Sequence, residues 1–151
     1  MTAEPRIYPG KQATAAQLLQ LADEYHLAAV ELAKLGRPGQ PISRAPYRFA
    51  AIHAVELYLN ALLRHFDRSP EDIRGLQHDL AKRMDWVGEK GLTLRARTEK
   101  HVRKMAEARE YQICRYGAEM MAGLSPTNRV DATLDQVAKK ARTIIRGEQT
   151  G

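Results

Sequence analysis

The 151-residue sequence has a single cysteine, Cys114, which excludes an internal disulfide and, with it, any Cys-rich zinc site. No stretch approaches the roughly 20 consecutive apolar residues that a membrane span requires. The opening MTAEPRIYPGKQATAAQ has neither an apolar h-region nor a small-residue cleavage site, so no secretory leader is expected. Together with the lone thiol, these absences predict a cytoplasmic protein without membrane association. No run of four to eight residues alternates apolar and polar side chains between turn signals, so half-buried strands are not expected either. HExxH, an EF-hand loop, a glycine-rich phosphate loop and a G-x-S-x-G elbow are all missing, and the five histidines never fall at H-x-x-x-H spacing. Neither a metal nor a cofactor is expected.

Acidic residues are in deficit. Eighteen Asp and Glu stand against 24 Lys and Arg, for a formal net charge of +6 and a sequence pI of about 9.6. A surplus of this size points to an acidic partner or to a solvated cationic surface, and only its distribution separates the two. The 44% hydrophobic content is enough for a core, while 28% charged residues and a mean hydropathy of -0.49 describe a water-facing exterior. At this length one domain is expected.

Helical periodicity dominates what is present. Residues 1–13 carry Pro5, Pro9 and Gly10 without a periodic apolar pattern and read as a flexible N-terminal arm. Thr14 and Gln17 form a capping-box pattern ahead of Leu18, Leu21, Ala22, Tyr25, Ala29, Leu32 and Leu35, and Gly36 and Pro38 stop that helix. Pro46 suits a first helical turn, and Phe49, Ile52, Val55, Leu59, Leu62, Leu63 and Phe66 make the widest apolar stripe of the chain. Ser69 is placed to cap a short turn and Asp79 to open a helix through Leu80, Met84 and Val87. From Thr93 to about Met121 no proline intervenes, which predicts one helix of some seven turns. Ser125 and Pro126 begin a last helix bearing Val130, Leu134, Val137, Ala141 and Ile144. The expected fold is all-α, an antiparallel bundle of four to five helices over 14–146, with 147–151 as a frayed tail.

Several polar residues fall where apolar ones are expected. Arg109 lies four residues after Met105 and four before Ile113, inside the stripe of the expected long helix. An inward arginine needs a carboxylate, a phosphate or a subunit interface, and Glu56 is the candidate carboxylate. His53, Glu56 and Asn60 run beside the stripe of the second helix as either an internal polar network or the lining of a groove shared with a second subunit. Arg95, Arg97, Lys100, Arg103 and Lys104 are opposed locally only by Glu99, a pattern that fits a phosphate-contacting face or a solvated one. Lys139, Lys140, Arg142 and Arg146 form a second cluster, for which contact with a helix C-terminus is a sufficient explanation.

The run RFAAIHAVELYLNALLRHF over 48–66, a capped turn, HDLAKRM over 78–84, and then AREYQICRYG over 108–117 resemble the HEPN domains, small helical domains of prokaryotes. The likeness covers roughly 14–146. It implies a four- or five-helix bundle that dimerises, often beside a nucleotidyltransferase or in toxin–antitoxin systems. In the active branch it implies a metal-independent ribonuclease with an R-x(4–6)-H motif, where arginine stabilises the phosphorane and histidine moves a proton. Laying the form R-N-x-x-x-H-x-Y on this chain puts Arg109 and Tyr116 at its arginine and tyrosine, Glu110 at its asparagine, and Cys114 where histidine belongs.

Arg48 with His53 and Arg95 with His101 match R-x(4–6)-H literally, but 16 arginines and five histidines produce about 1.6 such matches by chance. The resemblance therefore implies a degenerate HEPN-like dimer without catalysis that binds nucleic acid, a nucleotide or a partner protein in a groove lined by Arg109, Arg115 and Tyr116, with Arg95, Arg97 and Arg103 contributing charge. The alternative is an endoribonuclease of the toxin type using Arg109 with His53 or His101. A third reading is a purely structural partner subunit in which His53, Glu56 and Asn60 fix dimer register.

Overall fold

The computed structural model describes residues 6–147. Every regular element among them is helical, and the only β-type pairing is an isolated bridge between Arg37 and Gln40. The α-helices are α1 (Ala15–Ala33), α2 (Ala45–His65), α3 (Pro70–Gly75), α4 (Leu80–Glu89), α5 (Ala96–Glu107), α6 (Glu110–Tyr116) and α7 (Thr127–Arg146). Short 3-10 turns at Pro41–Arg44 and Ala118–Gly123 precede α2 and α7. No helix is long and apolar enough to cross a membrane. Of the expected arm, Met1–Pro5 lie outside the described residues, as do residues 148–151 of the expected tail.

The caps form where the sequence places them. Thr14 Oγ1 accepts from the Gln17 amide and Gln17 Oε1 from the Thr14 amide, both at 3.0 Å, so two otherwise orphaned donors are satisfied reciprocally. Ser69 and Asp79 do the same work for α3 and α4, accepting from the amides of Asp72 and Lys82. Gly147 ends α7 in the left-handed conformation (φ 71°) that glycine adopts without steric cost.

Helix α2 is the axis of the bundle. Thirteen of its 21 residues are buried, and it touches α1, α3, α4, α6 and α7. Val55, Leu59, Leu62 and Leu63 are at most 1% exposed, and each such side chain stabilises the fold by roughly 1.5–3 kcal/mol relative to an exposed position. Helix α1 meets α2 through Leu19, Ala22 and Ala29, the two alanines allowing close approach. That face is rotated from the expected one: Leu21, Tyr25 and Leu35 remain exposed. A second tie runs through Asp23, which accepts hydrogen bonds from Tyr58, Arg142 and Arg146 and so links α1, α2 and α7. Two cations of the C-terminal cluster thus neutralise a carboxylate of α1.

The expected seven-turn helix is not continuous. It breaks at Ala108–Arg109, where Arg109 adopts φ 55° and ψ 44°, a left-handed conformation costing a non-glycine residue about 1 kcal/mol or more. The break redirects the chain, so that α6 packs on α2 and Glu110 enters the interior at 2% exposure. Arg109, expected inside the apolar stripe, is therefore exposed.

Candidate functional site

Two polar assemblies flank α2, one inside the bundle and one on its surface. The interior one connects Thr133, His101, Ser125, Glu110 and Arg48, all at most 7% exposed. Ser125 Oγ donates to Glu110 Oε1 at 3.1 Å, so it must accept from His101 Nε2, 2.9 Å away. Nδ1 then accepts from Thr133 Oγ1 at 2.7 Å, which assigns the Nε2–H tautomer from the bonding pattern. Arg48 donates to the Ser125 carbonyl and lies 3.6 Å from Glu110 Oε2. Burial pushes the His101 imidazole down to about 4, reinforced by Arg129, Arg48 and Lys104, so it is neutral at pH 7.

This assembly corrects the reading of His101 as a catalytic candidate. It is 3% exposed with both ring nitrogens engaged, so it cannot reach an RNA strand. Neither literal R-x(4–6)-H pair is a pair in space. Arg48 joins the network of His101, while His53 faces α1 and Arg95 lies in a different groove. Cys114, at the position of the missing histidine, is half-buried, and burial pushes its thiol up to about 11; it holds its proton at neutral pH.

The surface assembly begins at the polar line of α2. His53 Nδ1 lies 4.0 Å from Glu56 Oε2, and its ring sits between Tyr25 of α1 and Phe49, at centroid distances of 4.5 and 6.3 Å. Burial lowers the His53 pKa, against the pull of Glu56. Asn60 joins neither neighbour and instead accepts from Arg83 Nε at 2.7 Å. Glu56 does not pair with Arg109, as the sequence allowed, but with His78: Nδ1 and Oε1 are 3.0 Å apart. The His78 ring rests on Tyr111 of α6, centroids 4.3 Å apart. With Nδ1 held by a carboxylate, the neutral imidazole carries its free lone pair on Nε2.

His78, Tyr111, Arg103 and Arg109 line one open groove of about 610 Å³. Arg103 is engaged there by Asp85 at 2.7 Å and Glu99 at 3.3 Å, whereas no carboxylate pairs with Arg109 among the described residues. One turn further along α6, the Arg115 guanidinium lies 5.8 Å from the Phe49 ring centroid and 5.1 Å from that of Tyr116, again without a paired carboxylate among the described residues. Tyr116 is 72% exposed and Phe49 39%. No family model matches the chain, and neither a curated protein nor a solved structure matches it.

The predicted groove residues thus divide. Arg109, Arg115 and Tyr116 lie on or beside α6 with His53 and Glu56 behind them, and Arg103 is close but neutralised. Arg95 instead lines, with Lys139 and Lys140, a groove between the start of α5 and α7, and Arg97 is simply exposed. Sequence reasoning did not single out His78, Tyr111 or Phe49 as site residues. The HDL start of α4 and the Arg-x-Tyr of α6 carried that signal, but only the fold brings them against Glu56. Among the described residues no His, Cys, Asp and Glu group has metal-binding geometry.

Proposed function

We propose that the chain is a HEPN-like helical domain acting as a dimeric binding module for nucleic acid, with the surface of α2 and α6 as its contact face. The observation that carries this reading is Arg115, a cation without a paired carboxylate among the described residues, lying beside the exposed rings of Phe49 and Tyr116. Aromatic faces with an interleaved guanidinium suit stacking of unpaired bases and tolerate any base, since every base has a π-face. Arg109 adds a cation for a phosphate. The exposed Leu21, Tyr25 and Phe49 support self-association beside the same face.

Fluorescence anisotropy on single-stranded RNA over a salt series tests the reading. Tyr116→Ala is expected to weaken binding about tenfold, the effect of losing one stacked base. Arg109→Gly is expected to lower the salt slope by about one while leaving the melting temperature unchanged or raised, because glycine accepts φ 55° without strain. Unchanged affinity in both variants and in Arg115→Ala would overturn the proposal, and a monomer by sedimentation would remove the dimer.

A second reading, metal-independent RNA cleavage, is favoured by one observation. His78 Nδ1 is held by Glu56 on the wall of the groove that Arg109 also lines. There His78 Nε2 would take the 2′-hydroxyl proton and Arg109 would stabilise the phosphorane charge. Cleavage in EDTA that is lost in both His78→Ala and Arg109→Ala establishes it; intact RNA with wild type leaves the binding module.

A further inference from the structure

A separate cavity of about 310 Å³ opens on the other side of Asn60, between α2, α3 and α4 and under the turn at Tyr8–Gly10. Its lining includes three arginines, Arg64 from α2, Arg74 from α3 and Arg83 from α4, and no aspartate or glutamate. Arg68 sits on Asp72 and Glu89, Arg103 on Asp85 and Glu99, and Arg142 on Asp23, whereas the exposed Arg109 and Arg115 have no such partner among the described residues. None of the three cavity arginines has a carboxylate within ion-pair distance among the described residues.

Arg83 is the decisive member. It is 2% exposed, yet its protein partners are two neutral oxygens, Asn60 Oδ1 at 2.7 Å and the Asp79 carbonyl at 3.2 Å. Its Nη2 makes no hydrogen bond among the described residues. The carboxylates of Glu56 and Asp79 act on it through space but neither bonds it, so its hydrogen bonds go to neutral oxygens alone and its shell is left open to an anion. Arg64 lines the cavity from α2, with its Nη1 held by the Arg68 carbonyl and its Nε closed off from the cavity. Arg74 lies 4.0 Å over the Tyr8 ring, which fixes its guanidinium at the rim of the cavity.

We infer that this cavity is a binding site for the phosphate group of a small phosphate monoester, held by Arg64, Arg74 and Arg83 and covered by Tyr8. Guanidinium groups recognise phosphate oxygens through paired N–H bonds. The volume admits a compact ligand such as a sugar phosphate or a mononucleotide. None of Arg109, Arg115 and Tyr116 lines this cavity, although Gln77 borders both it and the groove of His78 and Arg109.

Isothermal titration at low ionic strength with inorganic phosphate, ribose 5-phosphate and AMP, and with adenosine as the uncharged control, tests the inference. At least one phosphate ligand is expected to bind while adenosine does not. Arg74→Ala, a change at the exposed rim, is expected to weaken that binding about tenfold or more. Arg83→Met should abolish it; the folded state of that variant is checked by its circular dichroism melt. Arg115→Ala should leave it unchanged, which separates failure here from failure of the RNA-binding proposal. No heat from any of the three phosphates, or binding that survives Arg74→Ala at full affinity, would overturn the inference.

Discussion

Glu110→Ala is expected to destabilise the fold by about 3–5 kcal/mol, the cost of leaving a buried charge without its partner. The Glu110 carboxylate is 2% exposed and, among the described residues, is the only acidic group that the buried Arg48 meets within ion-pair distance. Removing it strands the Arg48 guanidinium and frees the Ser125 hydroxyl that orients His101. The loss appears as a lower urea midpoint, with about 2–4 °C of melting temperature for each kcal/mol in a chain of this size. Arg48→Met combined with Glu110→Leu removes both charges at once and is expected to recover most of that loss, because a buried ion pair seldom outperforms an apolar pair of similar volume. A single Glu110→Ala variant as stable as wild type would show that the network holds nothing together.

The same residue explains the largest departure from the sequence reading. Residues 93–121 hold no proline, and their only glycine is Gly117, so nothing local announces a break at Arg109. The helix breaks there because Glu110 is anchored inside by Arg48 from α2 and Ser125 from the segment before α7, contacts 62 and 15 residues away in sequence. An arginine in the left-handed region carries no compositional signal, unlike the glycine that usually occupies such a position. Local chemistry was legible where it is local. Thr14, Ser69 and Asp79 cap the helices expected of them, and α2 shows the broad apolar stripe that makes it central.

Faces were less legible than elements. On α1 the run Leu18-Leu19 and the several alanines let two adjacent faces look apolar, and packing on α2 selected the one with Leu19, Ala22 and Ala29. The candidate site was legible in part. Arg109, Arg115 and Tyr116 are exposed at or beside α6, while His78 becomes a site residue only because α4 begins beside Glu56, 22 residues earlier in the chain. Spacing within one helix cannot show that pairing, and the literal Arg-His spacings pointed to residues the fold separates.

Acid is expected to remove about 3 kcal/mol of stability through His101 alone, as pH falls from 6.5 to about 4. Above pH 6.5 the ring is neutral in both the folded and the unfolded chain, and the network of Thr133, His101, Ser125 and Glu110 is intact. Below that point the unfolded chain binds a proton that the folded chain refuses, because burial and the charges of Arg129, Arg48 and Lys104 all oppose it. Once pH reaches about 4 the folded ring protonates as well and the loss is complete. A protonated ring would also turn Nδ1 into a donor, breaking the tautomer that Thr133 and Ser125 now satisfy. Burial lowers the pKa of His26 and His53 too, so they add to the slope in the same direction. Asp23 acts lower in the range: burial alone would raise its pKa, but the bonds from Tyr58 and Arg142 outweigh it, and its contribution is lost below the ordinary carboxylate value. Urea unfolding of wild type and His101→Gln from neutral pH to about 4 isolates the first of these. The variant is less stable at neutral pH but loses less on acidification; parallel curves would mean that His101 does not titrate differently on folding.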